Sequence, residues 1–441
     1  MNCFIEQLPR DAKTPFVLTR APGLSSWASV GDGPIQGMHA DHGLLYVVSG
    51  GVLYSVTSGA TATSRGTVGN STEIDIDSNE DTVVVVSPPD AYYWDGSTFA
   101  QITDTDFTSR GAGDVEFCDD FMLFREPETG RFFGADAGSV TAFDALNFAT
   151  AEGGTDTLVG MKVDHRQVVL FGERTIELWQ NTGASGFPFE RMINGFVEIG
   201  CLNGRSVAKV DNSLVWVADD YTVRRLDGLT PARISTHAVE QWLRTVTVTS
   251  LRGGAYSLEG HVCYVLTADE GCFVYDVTTQ LWHERSTYDE STWNWANPVR
   301  FAGKVLVGST VDGTIAELDP ETYDELSDTL RMEWDYQPAY AEGARAFHDR
   351  LELVIETGVG LTSGQGSAPV VMLSYSDDGG VTFRNLPNKA LGALGNRKTR
   401  VAWSALGSCA SPHGRIYRAA VSDPVKVAVT DTILSVRGGR L

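Results

Sequence analysis

Long apolar stretches are missing: no run of about 18 apolar residues occurs in the 441, so the sequence offers no membrane-spanning helix. Cysteine is sparse. The six sit at 3, 118, 201, 263, 272 and 409, with no Cys-x-x-Cys spacing. That excludes a disulfide scaffold and a zinc site and predicts buried free thiols. Positive charge is short, with 34 Lys+Arg against 57 Asp+Glu, a net −23. A general nucleic-acid binder needs a basic face, so that class is disfavoured. The chain has no Gly-x-Ser-x-Gly elbow, phosphate loop, dinucleotide fingerprint or His-Glu-x-x-His pair. The opening residues carry no charged-then-apolar leader, so no secretory signal is expected. Helix signals are few.

What is there reads as an ordinary globular mix, 42% apolar and 10% aromatic, of a length that suits two domains. One pattern recurs: an alternating apolar run, a short polar turn, then a second alternating run. It spans Gly43–Val56, Asp81–Trp94, Phe121–Phe133, Gln167–Trp179, Ser213–Leu226, His261–Tyr275 and Lys304–Leu318. The copies start about 40 to 50 residues apart, the length of one four-stranded blade. A lone hairpin cannot bury its apolar face, whereas blades around an axis bury each other's. The fold class predicted is all-β: a six- or seven-bladed β-propeller at 36–328. A smaller β-sandwich platform is expected at 329–441. Residues 1–35, with Pro9, Pro15, Pro22 and Pro34, read as an extended arm packing on the platform. Helical exceptions are expected at Ser235–Arg244, with Ala238, Trp242 and Leu243 inward, and as one turn at Thr141–Phe148. Within the platform, a strand is predicted to begin at Arg331–Tyr336, and Arg350–Gly358, Val370–Ser376, Val381–Phe383 and Ile416–Ser422 are the other predicted strands.

Charge divides the chain. Residues 331–441 hold 13 Lys+Arg against 10 Asp+Glu, a balance of +3; the rest holds 21 against 47, a balance of −26. Arg384, Lys389, Arg397, Lys398, Arg400, Arg415 and Arg418 form a basic cluster. It is a candidate docking surface for an acidic partner, a neighbouring copy's propeller included. Ser376, Asp378, Gly380, Thr382 and Phe383 match the Asp-box pattern, a self-tied structural turn. Asp75-Ile-Asp77-Ser-Asn79-Glu-Asp81 mimics half of a calcium loop. It lacks the glycine and the closing glutamate, so it reads as strand and turn. His39 and His42, with Asp41 between, read as surface or capping groups.

Further stretches carry a likeness. Phe143–Glu152, Val163–Arg166, Leu170–Ala184, Phe187–Arg191, Glu198–Cys201 and Pro231–Glu240 resemble the packaged-DNA stabilisation proteins (tail hub or nozzle) of short-tailed, podovirus-like phages. The opening Leu8–Pro15 and Thr19–Gly23 and the ending Arg415–Val425 fit as well. The resemblance implies a virion component without catalytic residues or cofactor, assembled in the host bacterial cytoplasm. It implies a six-membered ring below the portal and head-to-tail adaptor, continuing the DNA channel without reading DNA sequence. Partners would be other copies, a tail needle or plug, and tailspikes or fibres. The alternative class is a propeller that binds glycans or acts as a sialidase-like glycosidase. It would need an arginine cluster on the propeller, and the visible basic cluster lies outside it.

Overall fold

Six of the seven hairpins become the middle pair of a four-stranded antiparallel sheet, and the seventh lies within a six-stranded one, in the computed structural model, which describes residues 1–9, 14–154, 156–340 and 344–439. Part of the N-terminal arm, residues 10–13, lies outside the described residues. The chain divides into two compact units. One is 26–282 with 291–318; the other is 1–25 with 283–290 and 319–441.

In the larger unit the strand preceding each hairpin is the first of its sheet: Ile35–Asp41, Asp75–Ser78, Val115–Cys118, Leu158–Asp164, Ala208–Val210, Arg252–Leu258 and Trp295–Phe301. These first strands touch in order, the fourth reaching the fifth through the single turn Gly204–Ser206, and the last returns to Ile35–Asp41. The circuit is closed, as in a propeller. The strand after each hairpin completes the sheet, from Ala62–Thr67 round to Leu281–Glu284. The last hairpin does not pair with the strand that follows it in sequence. The strand beside it is Gly23–Ser29, from the other end of the chain. The predicted arm is therefore divided: Cys3–Gln7 and Phe16–Arg20 join the sandwich, and Gly23–Ser29 closes the ring's last sheet. An unpaired edge in that sheet would leave amides and carbonyls without partners, which is the force that draws the strand in.

Period-2 alternation builds the core between sheets. Val83 and Val85 pack with Val48 and Leu53 of the preceding sheet, while Val84 and Val86 pack with Phe124 and Phe133 of the following one. The same two-faced burial places Leu123 and Phe132 against Val168 and Leu170, and Val169 and Phe171 against Leu214 and Trp216. Trp216 is wholly buried, its indole N–H donating to Gly200 O at 3.1 Å.

Six of the seven described sheets join first to second strand by two successive residues at positive φ: His42-Gly43, Asp119-Asp120, His165-Arg166, Asp211-Asn212, Glu259-Gly260 and Ala302-Gly303. Two left-handed residues give the type I′ turn whose twist matches a hairpin. In the remaining sheet Asn79 does the work, its Oδ1 accepting from the amides of Asp81 and Thr82 at 3.1 and 2.8 Å.

Two sheets form the smaller unit. One runs Cys3–Gln7, Phe16–Arg20, Ala428–Gly438, Ala346–Ile355, Val401–Ser404; the other runs Met332–Asp335, Ile416–Val421, Val370–Ser376, Arg384–Asn385. Met332, Leu351, Leu353, Val371, Leu373, Trp403, Tyr417 and Val421 fill the space between them. Arg20 ties the arm in. Only 5% exposed, its guanidinium donates to the carbonyls of Val421, Asp423 and Val425 at 2.7–2.9 Å.

Three local expectations are corrected. Thr141–Phe148 holds no helical turn: Phe143–Thr150 is a strand, because Phe143 and Phe148 pack on the cluster around Phe107 and Phe124. The longer helix is His237–Leu243, and it buries Val239, Glu240 and Leu243 while Ala238 is exposed. Its face is turned because Glu240 is held from within by Ser235 and Arg233, at 2.7 Å each. Val381–Phe383 is not a strand. Asp378 captures the amides of Val381 and Thr382, and pairing begins at Arg384.

Candidate functional site

The predicted basic cluster is three different things. Arg415 is 2% exposed and belongs to the interior. Its guanidinium forks onto both carboxylate oxygens of Asp377 at 2.7 Å, donates to Leu406 O, and lies 4.1 Å from the Tyr375 ring centre. Strands Val370–Ser376 and Ile416–Val421 pair side by side, which delivers Arg415 to Asp377. A buried, forked arginine is structural, so its place in a docking surface is withdrawn. Arg418 forks onto Asp335 at 2.7 and 2.8 Å and lies 4.0 Å from the centre of the Phe383 ring. Arg400 is exposed but shares Glu352 with Arg350. Arg384, Arg397 and Lys398 are exposed and Lys389 is half-buried. None of these four side chains has a hydrogen bond or ion pair among the described residues. Leu394, 63% exposed, lies close by in sequence to Arg397 and Lys398. The free positive surface is thus four residues, not seven.

The Asp-box is a closed hydrogen-bond set. Asp378 accepts from the amides of Val381 and Thr382 at 3.1 and 2.9 Å and from the hydroxyls of Ser376 and Thr382 at 2.7 and 2.5 Å. Gly380, at φ 94°, donates its amide to Ser376 Oγ. The Thr382 bonds hold the Asp378 carboxyl far below the usual carboxylate range. Such a fully engaged acid cannot act as a general acid near neutral pH.

The acids at Asp75–Asp81 have a role the calcium-loop likeness missed. First strands turn one edge toward the propeller axis, where amides lack a sheet partner. Asp75 Oδ2 accepts from Val115 N at 3.1 Å, Asp77 Oδ2 from Phe117 N at 2.7 Å, and Glu116 Oε2 from Val163 N at 2.8 Å. Each carboxylate thereby ties its sheet to the next. Lys162 lies between Glu116 at 2.5 Å and Asp75 at 3.4 Å, and Lys209 reaches Glu116 at 3.5 Å. Burial and then the Glu116 charge raise Asp77 to about 7. Burial opposes charge on Lys162, yet Asp75 and Glu116 outweigh it and keep the ammonium ionised. His39 lies on the same circuit, its Nε2 2.9 Å from Ser78 Oγ, and burial lowers its pKa. His42 occupies the turn. Among the described residues no group of three or more His, Cys, Asp or Glu is placed to hold a metal.

Two neighbouring hollows of about 490 and 450 Å³ share Gln36, Arg205, Thr249 and Arg252. Arginines were expected to cluster outside the propeller. Arg205, just before strand Ala208–Val210, and Arg252, the first residue of strand Arg252–Leu258, are nonetheless brought together on its axis. Their separation in sequence hid them; the only available signal was their shared place at the head of successive repeats.

Comparison with known proteins fits both units. The family model described as bacteriophage P22 Gp10, beta-propeller, matches residues 11–323, and that described as bacteriophage P22 Gp10, beta-sandwich, matches 331–437. The chain belongs to the bacteriophage P22 Gp10 family. It is a structural protein of a phage tail, and a propeller with a sandwich is that family's architecture. No curated protein matches the sequence. Among solved structures, the Pan2 WD40 domain of Neurospora crassa is similar at 10% identity and TM-score 0.43, over 65% of this chain and 89% of that one. The computationally designed Ika8 protein is similar at 13% identity and TM-score 0.41, over 67% and 99%. PorZ of Porphyromonas gingivalis follows at 10% identity and TM-score 0.40, over 75% and 44%.

Proposed function

We propose that this chain is the tail hub, or nozzle, of a short-tailed phage. Copies close into a six-membered ring below the portal and adaptor, extend the DNA channel, help retain packaged DNA, and seat a plug or needle and the tailspikes or fibres. The seven sheets are read as seven blades. The observation that carries the proposal is the match to the bacteriophage P22 Gp10 family across both units. Supporting physics comes from charge. A net −23 repels DNA phosphate, so a channel of such copies would not grip a passing genome. Heterologous contacts that close by rotation suit a ring, and a circular template raises their effective concentration.

Arg384, Arg397 and Lys398, exposed and without partners among the described residues, are proposed for one side of the ring contact. Arg400 is left out because reversing it would set a glutamate beside Glu352. The triple variant R384E/R397E/K398E is expected to fold normally, to enter particles at least tenfold less often, and to let packaged DNA leak. Normal incorporation with full DNA retention would move the contact elsewhere. No turnover of sialosides, common glycosides or nucleic acid is expected; turnover abolished by one Asp or Glu substitution would overturn the structural role.

A further inference from the structure

Several arginines in the propeller unit are matched to carboxylates. Arg125 forks onto Asp114, Arg224 meets Asp220, and Arg225 meets Asp211 and Asp227. Arg205 and Arg252 are not. Both are half-buried, both line the two axial hollows, and neither guanidinium has a hydrogen bond or ion pair among the described residues. Burial and then the neighbouring charge of Arg252 bring Arg205 down to about 10, and burial lowers Arg252 as well. The charges of Glu73, Asp75 and Asp114 act on Arg205 and that of Asp269 on Arg252, but none of these carboxylates is hydrogen-bonded or ion-paired to either guanidinium among the described residues, so an anion placed between the two would gain both forks.

The larger hollow has the wall of a polyol site. Asn70, Thr72, Thr249, Thr267 and Thr310 line it together with the pair, and Asp269, an exposed residue, is the one carboxylate in that lining among the described residues. The adjoining hollow carries more acids: Asp75 is held by Lys162 and Val115 and Asp114 by Arg125, while Glu73 and Glu128 are exposed at its edge. A volume of about 490 Å³ suits a single sugar ring and is far too small for duplex DNA.

We infer that this axial hollow binds a monosaccharide-sized polyol carrying one oxyanion, a sugar carboxylate or a sugar phosphate. Arg205 and Arg252 clamp the anion, while the threonine hydroxyls and the asparagine amide meet the ring hydroxyls. This inference stands apart from the ring proposal, because particle incorporation and ligand binding are separate measurements.

The test is calorimetric titration of the full chain with glucuronate, glucose 6-phosphate, glucose and inorganic phosphate. Saturable binding is expected for glucuronate or glucose 6-phosphate, with glucose and inorganic phosphate each at least tenfold weaker. The tighter of the two acidic sugars identifies the anion as carboxylate or phosphate. R205Q and R252Q should each weaken binding at least tenfold while leaving Tm unchanged or higher, since each relieves a like-charge contact. A loss of Tm in both variants would make the pair structural and overturn the proposal. So would absence of binding by either acidic sugar at millimolar concentration, or inorganic phosphate binding as tightly as the sugar phosphate.

Discussion

The two units differ in the buried charges they use most, although Arg125 of the propeller also donates to Leu158 O of the following sheet at 3.1 Å. In the propeller, carboxylates on the first strands reach across to main-chain amides of the next sheet, and lysines gather behind them. In the sandwich, arginines do the reaching: Arg20 gathers three carbonyls and Arg415 forks onto Asp377 while donating to Leu406 O. The geometry explains the difference. A ring of sheets presents unpaired N–H groups along its axis, and only acceptors satisfy them. A sandwich closed by loops leaves carbonyls over, and a guanidinium with five donors satisfies several at once. The acidic 1–330 region and the mildly basic tail are therefore partly two solutions to backbone satisfaction, not only two surfaces.

The largest expected effect tests the propeller's packing. Phe124 is wholly buried against Phe107, Phe133 and Phe143, with ring centres 5.2–5.7 Å away. Phe124→Ala should cost about 3–5 kcal/mol, read as a fall in the propeller's calorimetric transition. A cost below 1 kcal/mol would mean the sheets do not depend on one another's faces.

Next comes the sandwich. Arg20→Met keeps the stem but takes the guanidinium donor from three carbonyls, of which Asp423 O still accepts from Val425 N, and should destabilise that unit by roughly 3 kcal/mol. Amide exchange in strand Phe16–Arg20 and in Val421–Val427 should accelerate together. Unchanged exchange would show that strand pairing alone holds the arm.

A smaller effect separates the units by pH. Asp77 is raised to about 7 in the folded propeller, mainly by burial, whereas an unfolded aspartate titrates near 4. Its contribution is present below that lower value and is lost as pH rises toward 7. His348 in the sandwich behaves oppositely. Both ring nitrogens are buried without a partner among the described residues, and burial, then Arg415, lowers its pKa. Its contribution is present above about 6.5 and is lost as pH falls through the lowered folded value. Between pH 4 and 7 the propeller's slope should flatten in D77N and the sandwich's slope in H348F. Equal slopes in all variants would erase the contrast.

The smallest expected effect is a gain. Asp120 sits at φ 78° in a turn, a region where a side chain is strained. Asp120→Gly should raise propeller stability by about 0.5–1 kcal/mol. A loss would mean the aspartate contributes more than its backbone costs.

What was legible in the sequence was whatever lies within a few residues. Val83–Ser87 with Asp90–Trp94 declares a hairpin by alternation, and Ser376–Thr382 declares its own tied turn, because both are made of neighbours in the chain. The mistaken helical turn at Thr141–Phe148 shows the limit even there: capping chemistry was local, but the partners of Phe143 were not. Tertiary structure alone decided that Gly23–Ser29 closes the last sheet, that Arg415 is interior, and that Asp75, Asp77 and Glu116 serve the amides of the following sheet. It alone set Arg205 beside Arg252. Each of these is a meeting of residues separated by a whole repeat or by most of the chain. A sequence records the spacing of such residues, but only closure of the ring and stacking of the two sandwich sheets supply the distance at which their charges and hydrogen bonds act.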